Sequence, residues 1–203
     1  MRKLFIDLLN EQPNQNFGNP NTKINIHLPI RGEMLEYCIE LNKKVQELTN
    51  SGVDFSPKSF QIPHITLYMG FVRNEKDYSN MLDSVYEFSK QLEPFEIFPT
   101  SPYAKEPKNN YLFIDTEQTQ KIIEIKRQLK EKVDKFIEPL NWDVVNETPH
   151  ITVGYIKNNV QDINALFNET QLGPSFYADA VELSFGGPWG SCIGTIRTFE
   201  FGK

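Results

Sequence analysis

The feature that most constrains the fold of this chain is a tetrapeptide that occurs twice. Residues 63–66 and residues 149–152 both read Pro-His-Ile-Thr, and each copy continues into apolar residues. Side chains at positions i and i+2 of a strand share a face, so each copy presents its histidine and threonine together and buries its isoleucine. The matching contexts of the two copies indicate an internal duplication, which predicts two related halves.

Periodicity predicts strands alternating with helices around the repeat. The first strand, 23–30, turns four aliphatic residues to one face and Asn25 and His27 to the other. Further strands are predicted at 62–72, 93–103, 110–115, 148–156, 176–185 and 192–199, and helices at 32–48, 76–92, 116–137 and 160–167. Thr116 is the expected N-cap of the third helix. Residues 10–21 are typical of a loop, 105–109 of a hairpin turn, and 186–190 of a glycine-rich turn.

Composition is ordinary for a folded protein, with 39% hydrophobic and 24% charged residues in 203. This length allows one domain with a sizeable core, or two small lobes. A net charge of -6 and a pI near 5.2 argue against duplex DNA or long RNA as partners, whereas a small anion remains compatible. Cys38 and Cys192 are expected to be buried free thiols. We also expect no membrane span, no secretory signal and therefore a cytoplasmic protein.

The repeated histidine and threonine suit phosphoryl chemistry. Breaking a phosphodiester needs a base for the attacking oxygen and an acid for the leaving oxygen, and histidine titrates close enough to neutrality for either role. His64 and His150 can divide this work while Thr66 and Thr152 hydrogen-bond the non-bridging oxygens. His27, on the polar face of its strand, is expected to be structural or solvent-exposed. No Glu or Cys stands at ligand spacing to complete a three-histidine zinc site, so we expect neither metal nor cofactor.

At these residues the sequence resembles the 2H phosphoesterase superfamily, whose signature is two His-x-Thr/Ser motifs. The opening strand that ends in Leu28-Pro29 before a helix resembles the bacterial 2′-5′ RNA ligase-like branch. The resemblance implies an α+β fold with two lobes related by a pseudo-twofold axis, in which two antiparallel sheets flanked by helices surround a central cleft. It implies His64 and His150 as the acid and base pair, with Thr66 and Thr152 as phosphate binders. It covers residues 23–203 as a single domain, and leaves residues 1–22 as an N-terminal extension.

A nucleotide base in such a cleft needs an aromatic or apolar platform. The candidates are Tyr68, Tyr103, Tyr111, Tyr155, Phe185 and Trp189. Tyr68 is the preferred one because an even spacing places it on the face of His64 in a regular strand. Tyr155 falls on the face opposite His150 unless its strand bulges. Trp189 stands on a glycine-rich turn, where it is less easily buried.

The sequence therefore predicts a metal-independent phosphodiesterase that acts on a small nucleotide. Its substrate could be a 2′,3′-cyclic phosphate, a short 2′-5′ oligoadenylate or a cyclic oligonucleotide. The runner-up is a 2′-5′ RNA ligase-like or RNA end-processing enzyme. Outside enzymology, the alternative is a module that binds and sequesters a nucleotide without cleaving it. The expected partner is a small nucleotide or short oligonucleotide, with no duplex DNA, no membrane and no obligatory protein partner.

Overall fold

The computed structural model describes residues 22–105, 110–140, 145–156 and 160–203. In these ranges the helices are α1 (Gly32–Leu48), α2 (Glu75–Ser89), α3 (Thr119–Val133) and α4 (Val160–Glu169). The strands are β1 (Thr22–Pro29), β2 (Gln61–Ile62), β3 (His64–Val72), β4 (Phe95–Ile97), β5 (Tyr103–Ala104), β6 (Tyr111–Asp115), β7 (Ile137–Pro139), β8 (His150–Tyr155), β9 (Phe176–Ala178), β10 (Ala180–Gly186) and β11 (Cys192–Glu200). Short 3-10 turns occupy Asp134–Phe136 and Pro188–Gly190.

Among the described residues, nine strands form one antiparallel sheet in the order β2-β11-β10-β1-β3-β8-β6-β5, with β7 also paired to β3. Strands β4 and β9 form a separate small sheet. The predicted α+β class with two antiparallel sheets and flanking helices is confirmed. The loop expected at 10–21 and most of the predicted extension, 1–22, lie outside the described residues, so that boundary stays a prediction. So does the turn at 105–109, of which only Lys105 is described.

The pairing of β3 with β8 joins the two halves of the main sheet. Ile65 is the partner of Ile151 in an antiparallel register, so the centres of the two tetrapeptides face each other across this junction. On one side of the junction lie β1, β10, β11 and β2, and on the other lie β6 and β5. The repeat therefore sits at the middle of the molecule, where the two halves meet.

The core follows the predicted alternation of the first strand. Ile24, Ile26 and Leu28 are fully buried on one face of β1. Asn25 and His27, on the opposite face, are fully buried as well, so this strand is covered on both sides. His27 was expected to be either structural or solvent-exposed, and its burial makes it structural. Cys38 and Cys192 are buried free thiols, as predicted.

Two predicted strands are divided between the main sheet and the small one. The strand expected at 93–103 divides into β4, which pairs with β9, and β5, which pairs with β6. Pro99 and Pro102 lie between these two pieces, and a proline has no N–H to continue a ladder. The strand expected at 176–185 breaks at Asp179, because its first part joins the small sheet and its second part the main one. Only β5 and β6 keep the predicted hairpin pairing.

The predicted N-cap of the third helix is wrong. Thr116 is still extended, since it forms an isolated bridge with Pro99, and α3 begins only at Thr119 with Gln118 as its N-cap. The backbone carbonyl of Thr116 accepts a hydrogen bond from the Thr119 hydroxyl at 2.8 Å. The α-helix also ends at Val133, earlier than expected, because a 3-10 turn follows and leads into β7.

In the part of the chain that the structure describes, no helix has both the length and the apolar character to cross a membrane.

Candidate active site

The β3–β8 junction brings the four repeated polar side chains together. Because Ile65 faces Ile151 in an antiparallel pair, His64 lies beside Thr152 and Thr66 lies beside His150. These four side chains occupy the face opposite the two buried isoleucines, and all four line one cavity. The floor of the cavity thus has two imidazoles at diagonal corners and two hydroxyls at the other two.

Both imidazoles are oriented in the same way. Nδ1 of His64 lies 2.9 Å from the carbonyl oxygen of Ile62, and Nδ1 of His150 lies 2.7 Å from that of Thr148. A carbonyl oxygen can only accept, so Nδ1 is the protonated nitrogen in each ring. In the neutral ring Nε2 then carries the lone pair, and the Asn25 amide donates to Nε2 of His64 at 3.3 Å. Each histidine therefore presents a nitrogen that can take up a proton.

The surroundings of both rings favour their neutral form. Burial, followed by the neighbouring His27, lowers the pKa of His64 to about 3. Burial also lowers the pKa of His150 to about 4, and the nearby Lys126 and Lys105 act in the same direction. The bonds to Ile62 and Thr148 oppose these shifts because they stabilise the charged rings. An anion between the rings would raise both pKa values, so protonation of a ring would be coupled to the binding of an anion.

A β-bulge follows each motif at the same position. The register between β1 and β3 passes from His27–Thr66 to Ile26–Tyr68, which leaves Leu67 as the extra residue. Between β6 and β8 it passes from Phe113–Thr152 to Leu112–Gly154, which leaves Val153 extra. A bulge shifts the alternation of faces by one residue. The repetition of this irregularity supports the inferred duplication of the two halves.

The first bulge turns Tyr68 away from the site. Tyr68 shares a face with Ile26, is 3% exposed in the core, and donates its hydroxyl hydrogen bond to Asp134. The expectation that it shares the face of His64 is therefore wrong, and it does not line the cavity. Met69 takes that place instead. The sequence contains no local signal for the bulge at Leu67.

The second bulge has the opposite effect on its tyrosine. Tyr155 is paired with Tyr111, which lines the cavity, and it stacks on Trp189 with ring centroids 4.2 Å apart and planes 9° apart. Gly154 takes the core-facing position, where a Cβ atom would come within 2.7 Å of the Leu112 side chain. Tyr155 was expected on the face opposite His150 unless its strand bulged. The strand does bulge, so Tyr155 lies on the same face as His150.

The remaining aromatic candidates differ in their placement. Trp189 lines the cavity, 39% exposed, at a left-handed φ of 57°. Tyr103 does not line it: its hydroxyl donates to the carboxylate of Asp115 at 3.1 Å. Phe185 is buried opposite Ile24 on the core face of the sheet. Of the four proposed substrate-binding aromatics, the structure brings Tyr111 and Trp189 to the site and leaves Tyr68 and Tyr103 outside it.

A buried polar network lies beside His64. The ring of His27 packs edge-on against that of His64 with centroids 5.1 Å apart, and its Nε2 lies 3.8 Å from a carboxylate oxygen of Glu182. Burial would raise the pKa of Glu182, but the proximity of His27 and an ion pair with Arg31 at 2.9 Å lower it to about 2. Asn25 also donates to the hydroxyl of Thr66 at 3.0 Å, so this half of the site is held by polar contacts.

The other half is aromatic and cationic. Phe113 occupies the position beside Thr152 that His27 occupies beside Thr66, and its ring stacks on His150 at 3.8 Å. Lys105, Lys126 and Glu147 line the cavity next to His150. None of these residues was predicted from sequence as part of the site, although the sequence carries a signal for Lys126. Lys126 falls within the apolar stripe of α3, where a lysine is out of place.

The cavity has a volume of about 350 Å³, which lies within the range of small-molecule sites. Its floor offers two proton-transfer groups and two hydroxyls, and its walls are aromatic on one side and charged on another. Among the described residues, no group of three or more His, Cys, Asp or Glu side chains is placed to hold a metal ion. The arrangement can bind an anion and exchange protons on opposite sides of it.

The fold is shared with solved structures. TT0787 of Thermus thermophilus superimposes with a TM-score of 0.64 at 16% identity, over 88% of this chain and 97% of that one. LigT of E. coli in its apo form gives a TM-score of 0.59 at 11% identity, over 90% and 99%. LigT complexed with phosphate gives 0.58 at 14% identity, over the same fractions. These likenesses establish the fold.

Sequence comparison establishes the family. No curated protein matches the chain. The model of a protein family described as the 2′-5′ RNA ligase superfamily matches residues 40–184, which is more than half of the chain and includes both tetrapeptides. The resemblance to the 2H phosphoesterases is confirmed, and the chain belongs to the 2′-5′ RNA ligase superfamily.

Proposed function

We propose that this protein is a metal-independent phosphodiesterase that cleaves a phosphodiester of a small nucleotide. The observation that carries the proposal is the pairing of Ile65 with Ile151, which sets two His-x-Thr motifs diagonally on the floor of one cavity. A phosphate above this pair lies between His64 and His150 and within the reach of Thr66 and Thr152. In-line displacement requires this opposed arrangement of base and acid.

The proposed step conserves protons. The neutral histidine takes a proton from the attacking hydroxyl, of water or ribose, as the new oxygen–phosphorus bond forms. The charged histidine gives its proton to the leaving oxygen as the old bond breaks. Thr66 and Thr152 donate hydrogen bonds to the non-bridging oxygens, where negative charge is concentrated. The two rings exchange protonation states, and exchange with solvent restores the starting state.

A nucleotide fits the walls as well as the floor. Trp189 and Tyr111 line one wall of the cavity, and Tyr155 stacks on Trp189 and lies tilted against Tyr111. A base stacked on such an aromatic wall gains roughly 1–3 kcal/mol. LigT, a protein of the same fold, has been crystallised in complex with phosphate and with 3′-AMP, which supports a nucleotide ligand for this fold. The 350 Å³ volume suits one nucleotide and its flanking groups better than a long polymer.

The second candidate is the reverse reaction, RNA end joining, which the description of the family favours. The same acid and base would serve it, because forward and reverse reactions share one transition state. Product analysis separates the two candidates. The protein is incubated in EDTA with 2′,3′-cyclic nucleotides, 2′-5′ and 3′-5′ dinucleotides and cyclic dinucleotides, and products are identified by mass and by terminal phosphate position.

We expect cleavage of at least one substrate with EDTA present, and loss of that cleavage in His64→Ala and His150→Ala. Turnover that disappears in EDTA and returns with one divalent metal would contradict the mechanism. Longer products would favour ligation. Tight nucleotide binding without turnover by the wild type would indicate a sequestering protein.

A further inference from the structure

The two ends of the cavity floor differ in chemistry. Strand β8 runs from His150 to Tyr155, so its two ends point to different ends of the site. The aromatic end consists of Tyr111 and Trp189, which line the cavity close to Thr152 and His64, with Tyr155 stacked on Trp189. The cationic end consists of Lys105, Lys126 and Glu147, close to His150. The oxygens of a phosphodiester are arranged tetrahedrally around phosphorus, so its two ester groups diverge and can extend toward different ends.

Lys126 is the central residue of the cationic end. Its side chain is 2% exposed, yet it lines the cavity from α3 and donates to the backbone carbonyl of Glu147 at 3.0 Å. A buried ammonium group must be paired and hydrogen-bonded, and Glu147 provides the carbonyl acceptor and a nearby carboxyl group. The family signature does not involve this position, and the two His-x-Thr motifs account for neither lysine.

Lys105 directly follows β5, and its backbone N–H donates to the carbonyl oxygen of Tyr111 at 2.8 Å, so it is the Lys105 side chain that reaches toward His150. Its ammonium group lies 6.0 Å from the ring of Phe113, which stacks on His150 at 3.8 Å. Both lysines act on the pKa of His150, whereas neither is among the groups that shift the pKa of His64. Two independent chain segments therefore concentrate positive charge at one of the two histidines.

Glu147 offsets part of this charge. Burial raises the pKa of its carboxyl group, and Lys126 and Lys105 oppose that shift. With Glu147 ionised the cationic end keeps one net positive charge from these three residues. An incoming phosphate would raise the pKa of Glu147 further, and a protonated carboxyl group can donate to a phosphate oxygen. The carboxyl group is therefore compatible with an anionic ligand.

We infer that the preferred substrate carries a second phosphate, held at the cationic end by Lys126 and Lys105, while a base stacks at the aromatic end. This inference rests on the proposed function and narrows it. A linear or cyclic oligonucleotide has a phosphate on the neighbouring nucleotide and satisfies both ends. A nucleoside 2′,3′-cyclic monophosphate has a single phosphate and leaves the cationic end without a ligand.

The test compares matched dinucleotides. Adenylyl-adenosine in 2′-5′ and in 3′-5′ linkage is supplied without a terminal phosphate, with a 5′-phosphate, and with a 3′-phosphate. We expect one terminal phosphate to raise kcat/KM by at least about tenfold, the range of a charge-assisted contact. Lys126→Met should remove this advantage, so that kcat/KM of the variant becomes the same for substrates with and without a terminal phosphate. Lys126→Arg should keep part of the increase in kcat/KM that a terminal phosphate gives.

The control is Lys132→Met, which removes an exposed lysine from the same helix and should leave the advantage intact. If Lys126→Met does not fold, Lys105→Met decides, because Lys105 is exposed and its replacement leaves the core unchanged. Equal turnover of substrates with and without a terminal phosphate by the wild type would overturn the inference. An equal loss of kcat/KM on both substrates in the lysine variants would also overturn it, since the lysines would then act on the scissile phosphate. Absence of any cleavage would instead refute the proposed function.

Discussion

Replacing His64 by Asn should make the protein less sensitive to acid. Asparagine keeps an N–H that can donate to the carbonyl of Ile62, as Nδ1 of His64 does. The folded protein holds the pKa of His64 at about 3, below its ordinary value of 6.5. As the pH falls, His64 therefore becomes protonated in the unfolded chain at a higher pH than in the folded protein. The wild type has its full stability above pH 6.5 and loses stability as the pH falls from there toward the folded value.

The size of the effect follows from these two values. At about pH 4.5 the unfolded ring is almost fully protonated and the folded ring almost fully neutral. Linkage then gives a loss of about 2.5 kcal/mol between pH 7 and about pH 4.5 from this one group. The result hardly depends on the folded pKa as long as that pKa lies below the assay pH. His64→Asn removes this contribution, and all other titrating groups are common to both proteins.

Urea unfolding at the two pH values measures the difference. The free energy of unfolding should fall by about 2.5 kcal/mol less in His64→Asn than in the wild type. Thr66→Val, at a non-titrating position in the same motif, is the control and should show the wild-type loss. If His64→Asn loses as much stability as the wild type between the two pH values, the ring is not held neutral in the folded protein.

Three further predictions concern the same four side chains. Asn25→Asp sets a carboxylate against Nε2 of His64 and should raise the pKa of that ring by about one to three units, as followed by NMR of the ring, whereas Asn25→Ala, which only removes a donor to the neutral ring, should raise it less. Thr66→Val and Thr152→Val should each lower kcat/KM by roughly 1.5–3 kcal/mol without moving the limbs of the pH profile, and an optimum shifted by about one unit would show that the hydroxyl orients the histidine instead. His64→Ala and His150→Ala should each remove about two to four decades of rate, with the double variant little worse, and additive losses would argue against one shared site.

Much of the floor of the site could be predicted because it depends on strand periodicity alone. The i, i+2 spacing places histidine and threonine together, and the apolar isoleucine between them must be buried. Pairing of the two copies then follows from their equivalence. The alternation of 23–30 and the bounds of α1 were predicted for the same reason, since their patterns are regular over many residues.

The walls could not be predicted because they depend on departures from regularity. The bulge at Leu67 moves Tyr68 into the core, and the one at Val153 brings Tyr155 to the aromatic end. The sequences around these two bulges are both compatible with a regular strand. Lys105 and Glu147 reach the site from connecting segments, whose positions are set by long-range packing. Lys126 alone carried a local signal, because it interrupts an apolar stripe.

The two halves of the molecule give identical motifs different neighbours, and in the proposed mechanism this difference can distinguish the acid from the base. Beside His64 stand Asn25 and His27, which are polar and fully buried. At the equivalent positions beside His150 stand the aromatic Tyr111 and Phe113, with lysines nearby. Two imidazoles in the same environment could each serve equally as acid or base, because one shared proton would divide between them. In the proposed mechanism, the different neighbours that β1 and β6 supply are what can assign one role to each ring.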